Sequence, residues 1–221
     1  MIEQISFSQA SALALPKMVN GGVFLTSKLD NKVNTMTIGW GGINVYWGKQ
    51  IFEAPVRFTR HTHPMITQSG VFTVSVPLDG EDMKKELAYC GSHSGSKEDK
   101  IEACGITLLD GQCVDCPVIA GCSLHFECKV LGKADLCGEG LSSEVDGRWY
   151  KDKDYHTIFF GEIVACYLVK CSGALHFGFV YNGKQQSKDH CCGKSRSSTL
   201  DRAIKYSERA AFVDGLSYAL G

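Results

Sequence analysis

The sequence lacks a long hydrophobic run and has no excess of charge of either sign. Its longest apolar stretch, Thr157 to Val169, is interrupted by Glu162 and is too short to cross a bilayer. The chain has 23 lysine and arginine residues against 24 acidic ones, so its net charge of -1 gives no overall attraction for nucleic acid or an anionic membrane. Any anion site must therefore be a local cluster of cations. Residues 1–4 do not resemble an export signal, and we expect a cytoplasmic protein.

The common nucleotide and hydrolase motifs are also missing or incomplete. Gly193-Lys194-Ser195 resembles the end of a P-loop, but Lys188 stands where that motif needs glycine. No G-x-G-x-x-G follows a strand, which argues against a dinucleotide-binding Rossmann domain. The sequence contains no G-x-S-x-G elbow and no H-E-x-x-H pair.

Eleven cysteines are scattered along the chain, an odd number in a sequence without a secretory signal. We therefore interpret them as reduced thiols, most of which fill small buried spaces. Cys113 and Cys116 have the spacing of a zinc or redox pair, but no second pair matches them. One hypothesis for function, in addition to the two main ones given below, is therefore a Cys-rich metal or redox module built from these two cysteines and from His190 to Cys192.

Short antiparallel strands with few helices dominate the pattern, which is typical of a β-barrel or sandwich. The sequence predicts strands over 22–29, 33–40, 50–58, 71–77, 122–130 and 155–169. It predicts helical segments over 59–69, 81–89 and 97–103, a loop over 90–95, and a loop or hairpin tip over 131–154. Strict alternation makes 122–130 a half-buried strand. Thr62 is the expected cap of the 59–69 helix, and Pro55 places its strand near an edge.

The tail differs in composition from the rest of the chain. We expect residues 1–170 to form one domain and residues 171–221 a C-terminal extension. Residues 181–198 are polar and rich in glycine, lysine and serine, which predicts a mobile segment. Residues 200–216 have apolar side chains at roughly helical spacing, which predicts a helix.

Three segments, 34–40, 56–62 and 89–100, combine small polar side chains with cations or an aromatic residue. Their cations are Arg57, Arg60, His61, Lys97 and Lys100, and their neutral donors are Thr59, Thr62, Ser92 and Ser94. A phosphate monoester is bound by such a mixture of charged and neutral donors. Trp40 offers a flat apolar surface, and Asn34, Thr35 and Thr37 offer polar groups for the edge of a heterocycle. Together the segments predict a mononucleotide site, for example for FMN.

The runs NTMTIGWGG, VRFTRHT, FTVSVP, YCGSHSG with a later lysine, and HTIFFGEIVA resemble the flavin reductase-like, FMN-binding split-barrel family, and flavoredoxin-type members in particular. The resemblance runs from about Pro16 to Val169. It implies a mainly β, Greek-key split barrel with a few short helices, which dimerises and holds FMN near the dimer interface. The chain departs from the family in having His61 where an aromatic tyrosine is frequent, and in its polar, Cys-bearing tail.

The resemblance also implies roles for particular residues. Those expected at the isoalloxazine ring are Asn34, Thr35, Met36, Thr37 and Trp40. Those expected at the phosphate or ribityl chain are Arg57, Thr59, Arg60 and Thr62, completed by Ser92, Ser94 and Lys100. His156 is expected to reach the flavin from the partner subunit.

Two main hypotheses for function follow. The first is an enzyme that moves hydride or electrons between NAD(P)H and flavin, with NADH or NADPH as a transient donor and no catalytic acid or base on the protein. The second is a flavoredoxin-type FMN electron carrier that works with a redox partner protein and does not use nicotinamide directly. Both predict a homodimer with no nucleic acid and no membrane among its partners. The sequence favours the enzyme and leaves the carrier open.

Overall fold

The computed structural model describes residues 1–169, which contain ten strands and five α-helices. The strands β1 to β10 are Ile2–Gln4, Val23–Leu29, Lys32–Ile38, Gly42–Tyr46, Lys49–Arg57, Val71–Val76, Leu108–Leu109, Val118–Ile119, Leu124–Asp135 and His156–Val169. The helices α1 to α5 are Phe7–Val19, Thr62–Ser69, Lys84–Ser92, Lys100–Ala103 and Ser143–Trp149. A 3₁₀ turn covers Gly138–Gly140.

Eight strands form one antiparallel sheet, which confirms the mainly β prediction. Seven of them follow the order β3-β2-β6-β9-β10-β5-β4, and β1 pairs with β10. The strands β7 and β8 form a separate small pair. Within the described residues the edge strands β3 and β4 do not pair with each other, so the sheet wraps its core as a split barrel.

The barrel interior is packed with apolar side chains from alternate strand positions. Phe72, Val74 and Val76 of β6 all lie in this core, as their alternation predicts. A Cβ added at Gly161 of β10 would lie 2.4 Å from the Phe72 ring, so this position needs glycine. Because β10 pairs with both β9 and β5, the prediction of a central strand apolar on both faces is confirmed.

Pro55 lies where β5 has a partner on one side. The pairing of β4 with β5 ends at Gly42 and Glu53, and Pro55 pairs with Ile158 of β10. A proline lacks the backbone N–H of a second ladder, so this local edge accommodates it. The sequence prediction for Pro55 is confirmed.

Helix α1 is absent from the sequence predictions, although it completes the core. Ala10, Ala14 and Met18, at intervals of four residues, are buried against the barrel. Gly41, with φ +143°, lets the chain pass close to this helix. A Cβ there would lie 2.5 Å from the backbone oxygen of Glu53 and 2.9 Å from Met18 Cε.

Two predicted loops are wrong in part. The loop predicted over 90–95 begins as helix, because α3 continues to Ser92. The loop predicted over 131–154 contains the end of β9, which reaches Asp135, and helix α5, which Ser142 caps by accepting from the Val145 N–H. These extra elements place α5 beside the start of β10.

Strand β9 is not half-buried as its alternation predicts, since His125 and Glu127 on its polar face are both fully buried. A loop covers this face and is held by the Glu127 carboxylate. That carboxylate accepts from the backbone N–H groups of Gln112, Cys113 and Val114 at 2.6, 2.6 and 2.9 Å. The Tyr167 hydroxyl donates to it at 2.7 Å. The Glu127 carboxylate is therefore satisfied inside the protein, whereas the Nε2 atom of His125 is buried without a hydrogen-bond partner among the described residues.

The eight cysteines of residues 1–169 are free thiols, and four of them are buried: Cys90, Cys116, Cys122 and Cys128. Cys113 is exposed, whereas the Cys116 thiol donates to the Thr26 carbonyl. No group of three or more metal-ligating side chains gathers in this part of the chain. Likewise, no helix in it has the length and hydropathy needed to span a membrane. The predictions for residues 171–221, including the helix over 200–216 and the His190 to Cys192 cluster, lie outside the described residues.

Candidate functional site

Two adjoining hollows lie between β3, α2, α3, α4 and α5. The first, which we call the basic cavity, has a volume of about 180 Å³ and is lined by Met36, Thr59, Arg60, His61, Thr62, Cys90, Gly91, His93, Ser94, Gly95 and Lys100. The second, the aromatic cleft, has a volume of about 240 Å³ and is lined by Met36, Thr37, Ile38, Gly39, Trp40, Pro55, Arg57, Arg60, Trp149 and His156. The two share Met36 and Arg60 in their walls, so they lie side by side.

The basic cavity has cationic groups in its wall and no carboxylate among its described lining residues. Lys100 is only 4% exposed, and its Nζ donates to the carbonyls of Cys90 and His93 at 3.1 and 3.2 Å. An ammonium has three donors, so one remains for a ligand. The pKa of Lys100 is lowered first by burial, and the positive charge of Arg60 lowers it further. An anion in the cavity would relieve both effects.

Three segments predicted from the sequence converge on this wall. Asn34 of β3 donates from Nδ2 to the Thr62 hydroxyl at 2.7 Å. The predicted capping role of Thr62 is wrong, because His61 is the N-cap of α2 and makes no side-chain cap bond. A Cβ added at Gly95 would lie 2.0 Å from Asn34 Oδ1, so glycine lets the 93–95 loop approach β3.

The aromatic cleft is built from two tryptophans and a histidine. The rings of Trp40 and Trp149 meet edge to face at 5.0 Å, and Trp40 lies 5.2 Å from the His156 ring. Trp40 remains 43% exposed, which leaves apolar ring surface for a flat ligand.

His156 is neutral at physiological pH. It is 8% exposed, and its Nδ1 shares a 2.8 Å hydrogen bond with the Tyr150 hydroxyl. Burial lowers its pKa to about 4, and the positive charge of Arg57 acts in the same direction. The ring therefore offers a hydrogen-bonding imidazole to the cleft without a charge.

Arg57 and Thr59 use their donors inside the protein. Arg57 donates to the carbonyls of Asp154 and Trp149 at 2.5 and 2.9 Å. The backbone N–H and hydroxyl of Thr59 donate to the Asp154 carboxylate at 3.2 and 2.7 Å. These bonds fasten the connection between α5 and β10 to the barrel. By contrast, the Arg60 side chain makes no hydrogen bond or ion pair with residues 1–169, which leaves its guanidinium available between the two hollows.

Comparison with known proteins identifies the family. The model of the flavin reductase like domain matches residues 16–185, more than half of the chain. The chain belongs to this family. An uncharacterised protein of Archaeoglobus fulgidus is 29% identical over 133 residues, which are 60% of this chain. The chain spans 64% of the length of that relative.

Solved structures share the fold of this flavin reductase-like protein. Flavoredoxin of Desulfovibrio vulgaris (Miyazaki F) is 25% identical with a TM-score of 0.53, over 68% of this chain and 70% of that one. Flavoredoxin of Methanosarcina acetivorans is also 25% identical with a TM-score of 0.53, over 75% and 74% of the two chains. An FMN-binding domain of a flavin reductases-like enzyme from Shewanella baltica shows the same fold, at 18% identity and a TM-score of 0.56 over 88% and 98%.

Ten of the thirteen residues predicted for the site of this flavin reductase-like protein line one of the two hollows. They are Met36, Thr37, Trp40, Arg57, Thr59, Arg60, Thr62, Ser94, Lys100 and His156. His156 lies beside Trp40 of its own chain, so reaching a flavin does not require it to come from a partner subunit.

Three predicted residues do not line the site. The Thr35 hydroxyl is fully buried and bonds with Thr26 at 3.0 Å. Ser92 donates to the Ala88 carbonyl at 2.8 Å within α3. Asn34 acts behind the wall through Thr62. Their side chains support the site and leave direct ligand contacts to their neighbours.

The most important residue that the sequence predictions miss is Trp149. It stands in a stretch whose polar, glycine-rich composition predicts a loop. The pair Trp149-Tyr150 is the signal in that stretch, because two large aromatic residues are unusual in a solvated loop. Tyr150 is 3% exposed, and the hydrogen bond between its hydroxyl and His156 Nδ1 holds the imidazole in place.

Proposed function

We propose that this protein binds FMN, with the phosphate in the basic cavity and the isoalloxazine ring in the aromatic cleft. One observation carries the proposal: Arg60 and Lys100 line a cavity with no lining carboxylate, and this cavity shares Met36 and Arg60 with a cleft lined by Trp40 and Trp149. A phosphate monoester joined to a flat ring matches this pair of hollows. Its two negative charges would offset the repulsion between the cations.

The residues present fit the cofactor in kind. Lys100 and Arg60 would bind the phosphate, and the hydroxyls of Thr62 and Ser94 would orient it. β3 is an edge strand, so alternate backbone N–H groups of 36–38 point away from β2 and would serve the polar edge of the ring. Flavin, when bound, supplies the hydride and electron chemistry at N5.

We further propose that the protein is an oxidoreductase that moves hydride or electrons between NAD(P)H and flavin. The chain's own part is to orient the ring and keep one face open. His156 suits that task because it is uncharged, and Trp40 because it is half-exposed. With no Rossmann motif in the sequence, the nicotinamide nucleotide would be a transient donor and not a resident one.

Anaerobic mixing of the FMN-loaded protein with NADH or NADPH tests this activity. We expect the absorbance band of oxidised flavin to disappear when the nucleotide is added, and to return when air is admitted. A flavin band that stays unchanged with both nucleotides, while dithionite bleaches it, would refute direct nicotinamide use.

A second candidate function is a flavoredoxin-type FMN electron carrier. The two flavoredoxins at 25% identity support it. In that case the same anaerobic sample bleaches when a reduced redox partner protein is added and does not respond to nicotinamide. The two functions share every residue of the proposed FMN site, so this experiment separates them where structure does not.

A further inference from the structure

His93 lines the basic cavity, and one of its two ring nitrogens is already in use. Its Nδ1 lies 3.2 Å from the Tyr89 carbonyl oxygen and 3.0 Å from the Ser92 hydroxyl. A carbonyl oxygen can only accept, so Nδ1 carries a hydrogen. The Ser92 hydroxyl gives its own hydrogen to the Ala88 carbonyl at 2.8 Å, which leaves the hydroxyl oxygen free to accept from Nδ1 as well. Both neighbours therefore fix the same tautomer of His93.

Further contacts limit rotation of this ring. It stacks on the Tyr89 ring with the centroids 3.8 Å apart and the planes 5° apart. The Tyr89 hydroxyl donates to the Glu98 carboxylate at 2.6 Å, which anchors that ring in turn. The backbone carbonyl of His93 accepts from Lys100 Nζ at 3.2 Å. The imidazole is therefore held in one orientation, and its two nitrogens do not exchange places.

Nε2 is the nitrogen that remains for a ligand. Within residues 1–169, the hydrogen bonds of the His93 ring are made by Nδ1. While Nδ1 keeps its hydrogen, Nε2 of the neutral ring has only a lone pair, which repels an anion. Nε2 becomes a donor when the ring takes a second proton and is an imidazolium. His93 therefore contributes to an anion site only in its charged form.

His61, the other histidine of the cavity wall, differs in this respect. It is the N-cap of α2 and makes no side-chain cap bond, and its ring has no hydrogen-bond partner in the described part of the chain. A neutral His61 can therefore place its single hydrogen on either nitrogen and donate it to an anion without gaining a proton. The two histidines thus have different proton requirements for binding the same anion.

We propose that His93 is a further phosphate ligand of the basic cavity and binds as an imidazolium, so that FMN binding takes up a proton from solvent at Nε2. This inference rests on the proposed function, in which the FMN phosphate occupies the basic cavity. A phosphate dianion in the cavity favours the imidazolium. Because the charged ring is the one that binds, the affinity for FMN falls as the pH rises above neutrality.

The cavity wall and the contacts of the His93 ring contain other titratable or charged groups. They are Arg60, His61, Tyr89, Cys90, Glu98 and Lys100. The bond to Glu98 raises the pKa of Tyr89 to about 12, and burial raises that of Cys90 to about 12, so both stay protonated near neutral pH. Burial lowers the pKa of Lys100, which makes this lysine the alternative site of proton uptake that the experiment must separate from His93.

Titration calorimetry of the flavin-free, full-length protein tests the inference. FMN is added at about pH 7.5 in Tris and in HEPES, two buffers whose ionisation enthalpies differ. The difference between the two binding enthalpies gives the number of protons taken up. At this pH an ordinary imidazole is mostly neutral, and a phosphate monoester has already lost its second proton. Riboflavin, which lacks the phosphate, is the control ligand and is expected to take up none.

We expect the wild-type protein to take up about half a proton or more with FMN. In His93→Gln, whose amide donates without ionising, this uptake falls to near zero, while His61→Gln keeps the wild-type value. Because His93 is exposed, circular dichroism of the His93→Gln variant is expected to match the wild type.

Two results would overturn the role of His93 while leaving the phosphate site in place, provided that FMN still binds more tightly than riboflavin. One is a wild-type protein that takes up no proton with FMN. The other is an uptake that persists unchanged in His93→Gln, which would assign the proton to another group such as Lys100. Equal affinity for FMN and riboflavin would instead overturn the phosphate site of the proposed function, and this inference with it.

Discussion

The single residue Lys100 is buried by the fold in the wall of the basic cavity. A buried ammonium is costly unless it is paired. Two carbonyls satisfy part of this lysine, and no carboxylate lines the cavity that it faces. An anion that binds in the cavity would offset the remaining free-energy cost of burying the ammonium. Lys100 therefore contributes to the affinity for the anion and little to the stability of the fold.

Replacing Lys100 by methionine is therefore expected to weaken FMN binding and leave the fold intact. The loss of one charge-assisted phosphate bond corresponds to about 1.5–3 kcal/mol, or about 10- to 150-fold in Kd. Flavin fluorescence quenching measures it. Lys97→Met is the matched control, because Lys97 is exposed and lies outside the cavity lining. Equal Kd values for the two variants would place the phosphate elsewhere.

His156 makes a pH-dependent contribution to stability whose sign follows from its lowered pKa. As the pH falls from 6.5 towards 4, the unfolded chain binds a proton at this residue and the folded protein does not, so stability falls. We expect His156→Asn to reduce this fall by up to about 3 kcal/mol. Urea unfolding of both proteins at pH 7 and pH 4.5 measures the difference. A pH dependence identical to that of the wild type would mean that His156 titrates normally.

Among the secondary-structure elements, strand β9 has a face of polar side chains that is buried under a loop. Replacing Glu127 by glutamine puts an amide where four donors converge, and we expect a loss of about 3 kcal/mol in the free energy of unfolding. Denaturant titration measures the loss. Lys129→Gln, at an exposed position of the same strand, should change stability little. If the two variants were equally stable, the carboxylate would not be what holds the loop.

The elements also show what the sequence can and cannot predict. Six of the strands follow from alternation and turn residues, because a strand's period is visible locally. The burial of the polar face of β9 does not, because its alternating polar residues predict a solvent-exposed face unless the loop over 110–117 is known to cover them. Helix α5 is not predicted either, because its polar, glycine-containing composition resembles that of a loop. Its contribution to the site is the contact of Trp149 with Trp40, which is visible only in the fold.

The site divides in the same way. Residue type and spacing predict Arg60 and Lys100 as phosphate ligands, because a local cluster of cations can be seen in the sequence without knowledge of the fold. They do not show that Arg57 is occupied by the carbonyls of Asp154 and Trp149, since those partners lie more than ninety positions away. Nor do they show that the Thr35 side chain is fully buried and bonded to Thr26, which explains its misplacement.

At the scale of the whole molecule, the tip of the β4–β5 hairpin exposes an apolar patch. Val45, Tyr46 and Trp47 are 64%, 42% and 65% exposed, and the last two rings pack against Phe160. Patches of this kind mark interaction surfaces. We propose a homodimer and expect light scattering to give twice the monomer mass, with Trp47→Glu shifting the protein towards monomer. Val19→Glu, at an exposed apolar position on α1, is the control. A monomeric wild type would contradict the assembly.

We propose that FMN occupies both hollows, with its phosphate in the basic cavity and its flat ring in the aromatic cleft. The most direct measurement compares the Kd of FMN with that of riboflavin, which has the same ring and no phosphate, by fluorescence quenching at equal ionic strength. Two cations facing the phosphate predict that FMN binds at least about a hundredfold more tightly. Equal affinity for the two flavins would contradict a phosphate site in the basic cavity.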